Sequence, residues 1–303
     1  MRIGYPCINH SVGCSSAHTF RLASYSDERL NETITSNLSC LKKILSYNVL
    51  HGLFFFRITS DLVPFASHPV CTFPWQEHFS GEFRRIGEYI RSQRVRVSLH
   101  PDQFVLLNTP DPGVLERSIA DLRYQVKILD LMELDNSAKV QLHVGGVYHD
   151  KPAGIDRFVN VYELLEDSVR NRLVIENDER LYSVSDCLAT HERTGIPVLL
   201  DVFHHSVNNN HERTADLLEP VEATWKNRDG IPLVDYSSQQ PGKRAGAHAN
   251  SIDLNDFRSF LDASMPFDFD IMLEIKDKEK SALSALSIAR NDPRLYREDP
   301  DDE

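Results

Sequence analysis

The chain has 303 residues, of which 41% are hydrophobic and 26% are charged, so it can bury a sizeable core in one large domain or two ordinary ones. No run of about 18 apolar residues exists, which excludes a transmembrane helix, and residues 1–7 are too polar for a secretory signal. The net charge of −12 at pH 7 argues against broad, non-specific binding of nucleic acid. It leaves room for a local basic groove, or for carboxylates neutralised by bound metal.

The cysteines predict a reducing environment. There are five, at positions 7, 14, 40, 71 and 187; they form no CxxC pair and their number is odd. We therefore expect reduced thiols and a cytoplasmic protein, nucleoid-associated if the source is prokaryotic. Cys7 and Cys14 are candidate metal ligands, but buried free thiols are the better expectation.

Apolar strands and amphipathic helices alternate along the chain. In the first helix, for example, Leu30, Ile34 and Leu38 are four residues apart. A long polar connection at 206–228 is predicted to contain an extra helix and a loop. The predicted strands cover residues 3–5, 53–58, 95–99, 140–144, 173–176, 197–202, 231–235 and 269–275. The predicted helices cover residues 27–46, 81–93, 113–131, 156–169, 183–193, 253–261 and 279–289.

Eight strand–helix units in about 300 residues predict a (β/α)8 TIM barrel. An open, doubly wound sheet is the alternative, but it would more often carry a glycine-rich phosphate turn after its first strand. No linker interrupts the alternation, so residues 1–290 are predicted to form one catalytic domain. Residues 291–303 are predicted to form an acidic C-terminal tail, with a disordered end from Arg297 to Glu303.

The predicted strands end in residues that can bind metal. The third strand, for example, ends at His100, and Pro101 prevents its extension. In a closed barrel the carboxyl ends of all strands meet at one mouth, where barrel enzymes place their chemistry. The candidate residues at these ends or in the loops after them are His68, His100, His143, Glu176, Asp201, His204, Asp235, His248 and Glu274.

These residues together predict a metal centre, although each alone could be an ordinary buried histidine or a paired acid. Burying several carboxylates at one end of a barrel without a cation is very costly. Mixed imidazole and carboxylate ligands suit zinc, manganese or iron rather than calcium. The ligands are too many for one tetrahedral ion. We therefore expect two or more clustered ions, a common device for phosphodiester hydrolysis.

The motifs that carry these residues resemble those of the UV damage endonucleases, barrel enzymes related to endonuclease IV and, more remotely, to sugar isomerases of the xylose isomerase type. The similarity runs in register from Tyr5 to Lys278 and touches every strand. The motifs are Gly-Tyr5-Pro-Cys-Ile-Asn9, Ser67-His68-Pro, Leu99-His100-Pro-Asp-Gln103-Phe, Val174-Ile-Glu176-Asn-Asp, Leu200-Asp201-Val-Phe-His204-His, Asp235-Tyr-Ser-Ser-Gln and Ala247-His248-Ala.

The resemblance implies a DNA repair endonuclease with two or three divalent ions, manganese in the first place and zinc as the alternative. It would cut duplex DNA on the 5′ side of a UV photoproduct or an abasic site. The implied catalytic residues are His68, Glu176, Asp201 and His204. The implied ligand sets are Glu176, Asp201, Asp235 and Glu274 for one ion, His100 and His143 with bridging Glu176 for a second, and His204 with His248 for a third.

The resemblance also implies contacts with damaged double-stranded DNA. Tyr5 and Asn9 would contact the extruded lesion, and Gln103 and Phe104 would fill the gap that it leaves in the duplex. A tyrosine on the barrel floor is the alternative for Tyr5, and a core aromatic is the alternative for Phe104.

Lys243 and Arg244 offer a basic rim in an acidic chain. They lie in the loop that holds His248, so we expect them at the mouth, where they could contact phosphates. A solvated loop is the alternative. We expect a monomer and no membrane association.

Two departures from the family pattern and two rival functions remain. Phe104 stands where other members can have tyrosine, which keeps the ring and loses the hydroxyl. Leu233 stands where family members often have a lysine, which weakens the case for a third ion. An endonuclease IV-like enzyme restricted to abasic sites is one rival, but it would have Asp-x-His where this chain has Gly246-Ala-His248. A metal-dependent sugar isomerase or epimerase on the same barrel is the other, but the number of histidines favours the nuclease.

Overall fold

The computed structural model describes residues 1–297 and shows a closed barrel of eight parallel strands. The predicted single-domain (β/α)8 barrel is therefore confirmed, and the open sheet is excluded. The strands are β1 (Ile3–Pro6), β2 (Phe55–Ile58), β3 (Arg96–Leu99), β4 (Lys139–His143), β5 (Leu173–Glu176), β6 (Val198–Asp201), β7 (Leu233–Tyr236) and β8 (Asp270–Leu273). The helices are α1 (Asp27–Leu50), α2 (Trp75–His78), α3 (Ser80–Ser92), α4 (Pro112–Leu131), α5 (Lys151–Leu164), α6 (Asp167–Arg170), α7 (Val184–Thr194), α8 (Val202–Val207), α9 (Thr214–Glu222), α10 (Leu254–Ala263) and α11 (Glu279–Ile288).

Each strand pairs with its neighbours in the chain, and β1 pairs with β8 to close the barrel. Gly4 on β1 is needed for this packing, because a Cβ atom there would lie 2.0 Å from the backbone oxygen of Phe55 on β2. Every strand residue is buried except His143, which is half-buried. Burial on both faces is what the apolar runs in the sequence predict for parallel strands.

Two layers of side chains fill the barrel between its middle and its mouth. The lower layer is an apolar cluster that consists of Phe55, Val174, Leu199, Leu233 and Met272. Side chains on a strand alternate between its two faces, so the residue two positions later points to the same interior. Those later residues form the upper layer, which is charged and consists of Arg57, Glu176, Asp201, Asp235 and Glu274.

The opposite end of the barrel holds charges that neutralise one another. Nη1 of Arg96 lies 3.0 Å from Asp270, and Nζ of Lys139 lies 2.5 Å from Asp229. Burial lowers the pKa of Lys139 to about 8, against the opposing effect of Asp229. Each of these two buried cations thus faces a carboxylate.

The helices differ from the predicted bounds for local reasons. The segment predicted as one helix at 156–169 is two helices, α5 and α6, because the backbone is extended at Leu165. Helix α5 begins earlier than predicted, since the Asp150 side chain accepts a hydrogen bond from the Ala153 N–H and Pro152 is tolerated in the first turn. The connection at 206–228 contains α9, as predicted. No described helix is long and apolar enough to cross a membrane.

The packed structure continues beyond the predicted domain boundary at residue 290. The Tyr296 N–H donates to the Met1 carbonyl at 2.7 Å, and the Arg2 guanidinium lies 4.3 Å from the centre of the Tyr296 ring. Arg294 donates to the Phe267 carbonyl at 2.8 Å. Residues 291–297 therefore pack against the end of the barrel opposite the mouth, where the strands begin. The rest of the predicted acidic tail lies outside the described residues.

The expectation of five reduced thiols is wrong in this structure. Cys14, in the loop after β1, and Cys40, on α1, form a disulfide with a Cα–Cα distance of 5.9 Å. Cys7, Cys71 and Cys187 are free thiols. The bridge ties the loop after β1 to α1, and it also removes Cys14 from the candidate metal ligands.

Thiol titration tests the bridge. In denaturant without reductant we expect three reactive thiols, and five after reduction. The Cys40→Ser variant should lose about 2–4 kcal/mol of unfolding free energy in oxidised samples, because the bridge closes a sizeable loop of chain. Cys71→Ser, which removes a free thiol, is the control and should change stability far less. Five reactive thiols before reduction would contradict the bridge.

Candidate metal centre at the barrel mouth

Parallel strand order brings the candidate ligands together. His143 on β4 is the direct neighbour of Glu176 on β5, and Asp201 on β6 is the direct neighbour of Asp235 on β7. Each ends or nearly ends its strand, so all four lie at the same end of the barrel.

Glu176 is the centre of the cluster. Its Oε1 atom lies 2.7 Å from Nε2 of His100 and 3.0 Å from Nε2 of His143. Its other oxygen accepts a hydrogen bond from the Gln141 side chain. Burial favours the protonated form of Glu176, but His143 and His100 outweigh that effect and hold its pKa below the usual range.

Two groups of side chains could each hold a metal ion, and they share Glu176. In each group, every residue offers one ligand atom, and these atoms lie within 4.8 Å of one another. The groups are His100, His143 and Glu176, and Glu176, Asp201 and Asp235. A shared carboxylate is the arrangement expected for two neighbouring ions.

Arg57 is the fixed cation of the upper layer. Its Nη2 atom lies 2.8 and 2.7 Å from the two oxygens of Asp235, and its Nη1 atom donates to Glu274. The same Nη2 atom lies 2.7 Å from the Gln141 side-chain oxygen. Burial raises the pKa of Asp235 to about 7 despite Arg57. Burial also acts to raise the pKa of Glu274, but Arg57, His248 and His100 together outweigh it, and the pKa is about 2.

Asp201 and His204 form a second buried pair. The Asp201 side chain caps α8 by accepting from the His204 N–H at 2.7 Å, and the two side chains approach to 3.1 Å. Burial raises the pKa of Asp201 well above its usual value. Burial alone would lower the pKa of His204, but Asp201 and the nearby Glu176 raise it to about 9. Both shifts favour a proton on this pair when no other positive charge lies beside it.

The imidazoles are oriented by backbone carbonyls. Nδ1 lies 2.9 Å from the Pro101 oxygen in His100, 3.1 Å from the Asn177 oxygen in His204, and 2.9 Å from the Glu274 oxygen in His248. Since a carbonyl only accepts, we assign the proton to Nδ1 in each neutral ring, which leaves Nε2 as the ligand atom.

The donor set fits divalent ions. Four carboxylates converge at the mouth, and among the described residues Arg57 is the one guanidinium bonded to them. Three imidazoles have their Nδ1 atoms held by backbone oxygens, the usual support for a histidine that binds a metal through its other nitrogen. Nitrogen and oxygen ligands in this mixture suit manganese, iron or zinc.

The other predicted site residues lie at the mouth or beneath it. Phe104 is 74% exposed, so the alternative of a core aromatic is wrong, and the adjacent Gln103 is exposed as well. Tyr5 and Asn9 are instead buried, and the Asn9 amide donates to the Tyr5 hydroxyl at 2.7 Å. In this conformation neither residue presents a polar atom to DNA. The Tyr5 hydroxyl also donates to the Asn48 side chain on α1, so this strand residue faces the helix layer and neither the mouth nor the barrel floor.

The three remaining candidates lie on exposed loops. His68 is exposed, and its Nδ1 atom accepts from the Val70 N–H at 3.0 Å. Lys243 and Arg244 occupy the exposed tip of a hairpin whose two sides pair at Gln239 and His248. The Gln239 side chain fixes this tip by donating to the Arg244 carbonyl at 2.9 Å. The basic tip thus lies on the same hairpin as His248.

Sequence reasoning missed Arg57, Gln141 and Asn177. Arg57 and Gln141 are polar residues within otherwise apolar strands, and this was the signal that could have found them. Asn177 is fully buried, and its side chain donates to the Asp201 carbonyl and accepts from the Asp201 N–H, both at 2.9 Å. It fixes the backbone at the end of β6. Leu233 lies in the apolar lower layer and cannot bind a metal.

Comparison with known proteins finds a matching family and similar solved structures. The family model for UV-endonuclease UvdE matches residues 1–292. The UV DNA damage endonuclease of Clostridium perfringens (strain 13 / Type A) is 35% identical, over 99% of this chain and 74% of that protein. The crystal structure of SacUVDE is 42% identical with a TM-score of 0.93, over 97% of this chain and 100% of that one. Endonuclease IV from Thermus thermophilus is 17% identical with a TM-score of 0.58, over 96% of this chain and 98% of that one, and shares the fold.

Manganese titration followed by thermal melting tests the metal centre. We expect saturating Mn²⁺ to raise the Tm of the wild-type protein by roughly 5 °C, because a ligand at a hundred times its Kd stabilises the folded state by about 2.7 kcal/mol. The Glu176→Gln variant should lose most of this shift, since it removes the shared charge. Glu163→Gln, an exposed acid on α5, is the control. An equal shift in Glu176→Gln and wild type would contradict the assignment.

Proposed function

We propose that this chain, which belongs to the UV-endonuclease UvdE family, is a metal-dependent DNA repair endonuclease that hydrolyses the phosphodiester bond on the 5′ side of UV photoproducts, and also of abasic sites, in duplex DNA. Family membership supports a DNA damage endonuclease. The metal dependence and the position of the cut rest on the chemistry of the mouth and on the resemblance of its motifs.

The observation that carries the proposal is the position of Glu176 between two ligand groups. A carboxylate shared in this way can hold two divalent ions close enough to act on one phosphate. We assign His100 and His143 to one ion, with Glu176 as the bridge, and Asp201 to the other. We also assign Asp235 and Glu274 to the ion that Asp201 would bind, and both keep their bonds to Arg57. His204 and His248 would hold a third ion, whose case is weaker because Leu233 supplies no ligand.

Manganese is the metal that we propose first, and zinc is the alternative, because both accept mixed nitrogen and oxygen ligands. When bound, the ions would supply Lewis acidity, which draws charge from the phosphate oxygens and lowers the pKa of a water molecule.

The residues of the chain orient this chemistry. Arg57 keeps Asp235 and Glu274 in place, and it keeps Glu274 deprotonated through a pKa of about 2. His68 accepts at Nδ1 from Val70, so in its neutral form Nε2 carries the hydrogen. That N–H can donate to a phosphate oxygen at the mouth. We propose His68, Glu176, Asp201 and His204 as the catalytic set.

The proposed contacts with damaged DNA involve both an aromatic tip and a basic tip. A damaged dinucleotide stacks and pairs poorly, so it costs less to extrude than an intact one. The exposed ring of Phe104, with Gln103 beside it, could replace the lost stacking. Lys243 and Arg244 could meet the phosphates on the other side of the mouth.

Nicking of supercoiled plasmid tests the function. With Mn²⁺ present we expect the protein to nick UV-irradiated plasmid and to leave untreated plasmid intact, and chelation should stop the reaction. Nicking of plasmid with abasic sites but never of irradiated plasmid would favour the endonuclease IV-like alternative. Isomerisation of a free sugar without any nicking would favour the isomerase alternative.

The Phe104→Ala variant tests the aromatic tip. It should weaken binding of lesion-bearing duplex by about 5- to 150-fold, since stacking on an aromatic ring is worth roughly 1–3 kcal/mol per base. Its Tm and its response to Mn²⁺ should stay close to wild type, because the ring is exposed. Leu50→Ala, which truncates an exposed side chain at the end of α1, is the control and should bind like wild type. Unchanged affinity in Phe104→Ala would remove this residue from the interface.

A further inference from the structure

Tyr148 and Arg157 form a feature of the mouth that the metal centre does not explain. Tyr148 lies in the loop that follows His143, and the Arg157 guanidinium on α5 is 5.3 Å from the centre of its ring. Tyr148 is exposed, although Val144 and Gly145 earlier in the same loop are buried. An exposed ring beside a cation is a common element of nucleic-acid interfaces.

The loop holds Tyr148 in an unusual backbone conformation. Tyr148 has a φ of 50° and His149 a φ of 69°, so two successive residues other than glycine are left-handed. Such residues are uncommon outside special turns. The loop conformation therefore directs two exposed side chains outward where an ordinary turn would use glycine or asparagine.

Asn108 fixes this loop to the neighbouring one. Its side chain is fully buried, donates to the Gly146 carbonyl at 2.7 Å and accepts from the Gly146 N–H at 3.0 Å. A Cβ atom on Gly145 would lie 2.3 Å from the same side chain. Because Asn108 lies in the β3–α4 loop that also carries Phe104, the two exposed aromatic residues are on loops that are joined directly.

The charge of Arg157 has no carboxylate partner among residues 1–297. Its Nε atom donates to the Asn108 carbonyl at 2.7 Å, while its Nη2 atom is buried and has no hydrogen-bond partner in that part of the chain. Most other arginines of this acidic protein are ion-paired; Arg193, for example, lies 2.8 Å from Asp156. The Nη1 atom is neither buried nor hydrogen-bonded among those residues, so it is the atom of this guanidinium that can reach an anionic ligand.

We propose that Tyr148 and Arg157 form a second DNA contact, in which Arg157 binds a backbone phosphate and Tyr148 packs against the adjoining nucleotide. The inference rests on the proposed function, because it takes the substrate to be duplex DNA. It adds a contact on the β4–α5 side of the mouth to the Phe104 tip, and Asn108 acts as a positioning residue for both. Such a pair would hold the duplex on one side of the lesion.

Salt-dependent binding of lesion-bearing duplex tests this contact. In Arg157→Gln we expect binding to weaken about tenfold and the slope of log K against log salt to fall in magnitude by about 0.9, as for one lost phosphate contact. Arg157→Lys should restore the slope. Tyr148→Leu should weaken binding about fivefold or more without changing the slope. Arg193→Gln, which removes an ion-paired surface charge, is the matched control and should keep the wild-type slope.

The Mn²⁺-induced rise in Tm serves as the second readout, and it should be the same in all these variants if the metal centre is intact. A wild-type slope in Arg157→Gln, with a normal response to Mn²⁺, would overturn this inference and leave the proposed function standing. Failure of the wild-type protein to bind or nick irradiated duplex would overturn the proposed function, and the inference with it.

Discussion

The repulsion among four carboxylates at one end of the barrel is the constraint on which the site depends. Arg57 bonds to Asp235 and Glu274, and no second guanidinium within residues 1–297 bonds to Glu176 or Asp201. Three of the imidazoles around them direct Nδ1 to a backbone carbonyl. Glu176 and Asp201 therefore face imidazoles but no fixed positive charge among the described residues, and three imidazoles at the mouth are already oriented for binding through Nε2. Such an arrangement could hold metal ions, and it differs from the opposite end of the barrel, where Arg96 and Lys139 each face a carboxylate.

Much of the fold and part of the site could be predicted from the sequence. Alternating apolar strands and amphipathic helices predict the barrel, and the barrel then implies that residues such as His100 and Glu176 meet, because the convergence of strand ends is a property of the topology. The role of Arg57 could not be predicted in the same way. A polar residue in an apolar strand is visible in the sequence, but whether its side chain points into the barrel depends on the stagger of the closed sheet. The Cys14–Cys40 bridge was missed because residue spacing does not reveal which loop lies against α1. The exposure of Phe104 and the burial of Tyr5 also depend on loop conformation, which periodicity does not describe.

An acidic protein that binds an acidic polymer needs positive charge at the surface where the polymer docks. In this chain, the basic residues at the mouth include Lys243 and Arg244 on the hairpin tip and Arg157 beside the loop after His143. Under the proposed function, selectivity for damage would come from the low cost of extruding a poorly stacked nucleotide more than from attraction to DNA in general.

The contact between Met1 and Tyr296 has a practical consequence. The Met1 nitrogen lies 2.9 Å from Asp268, just before β8, so both described ends of the chain meet on the face opposite the mouth. A fluorophore or a surface tether attached at Arg297, the last described residue, which is exposed, is therefore separated from the mouth by the height of the barrel. A molecule immobilised in this way presents its mouth to solution, and so suits single-molecule measurements on long damaged duplexes. The same proximity makes the barrel a candidate for circular permutation, with new ends placed in loops of the closed face.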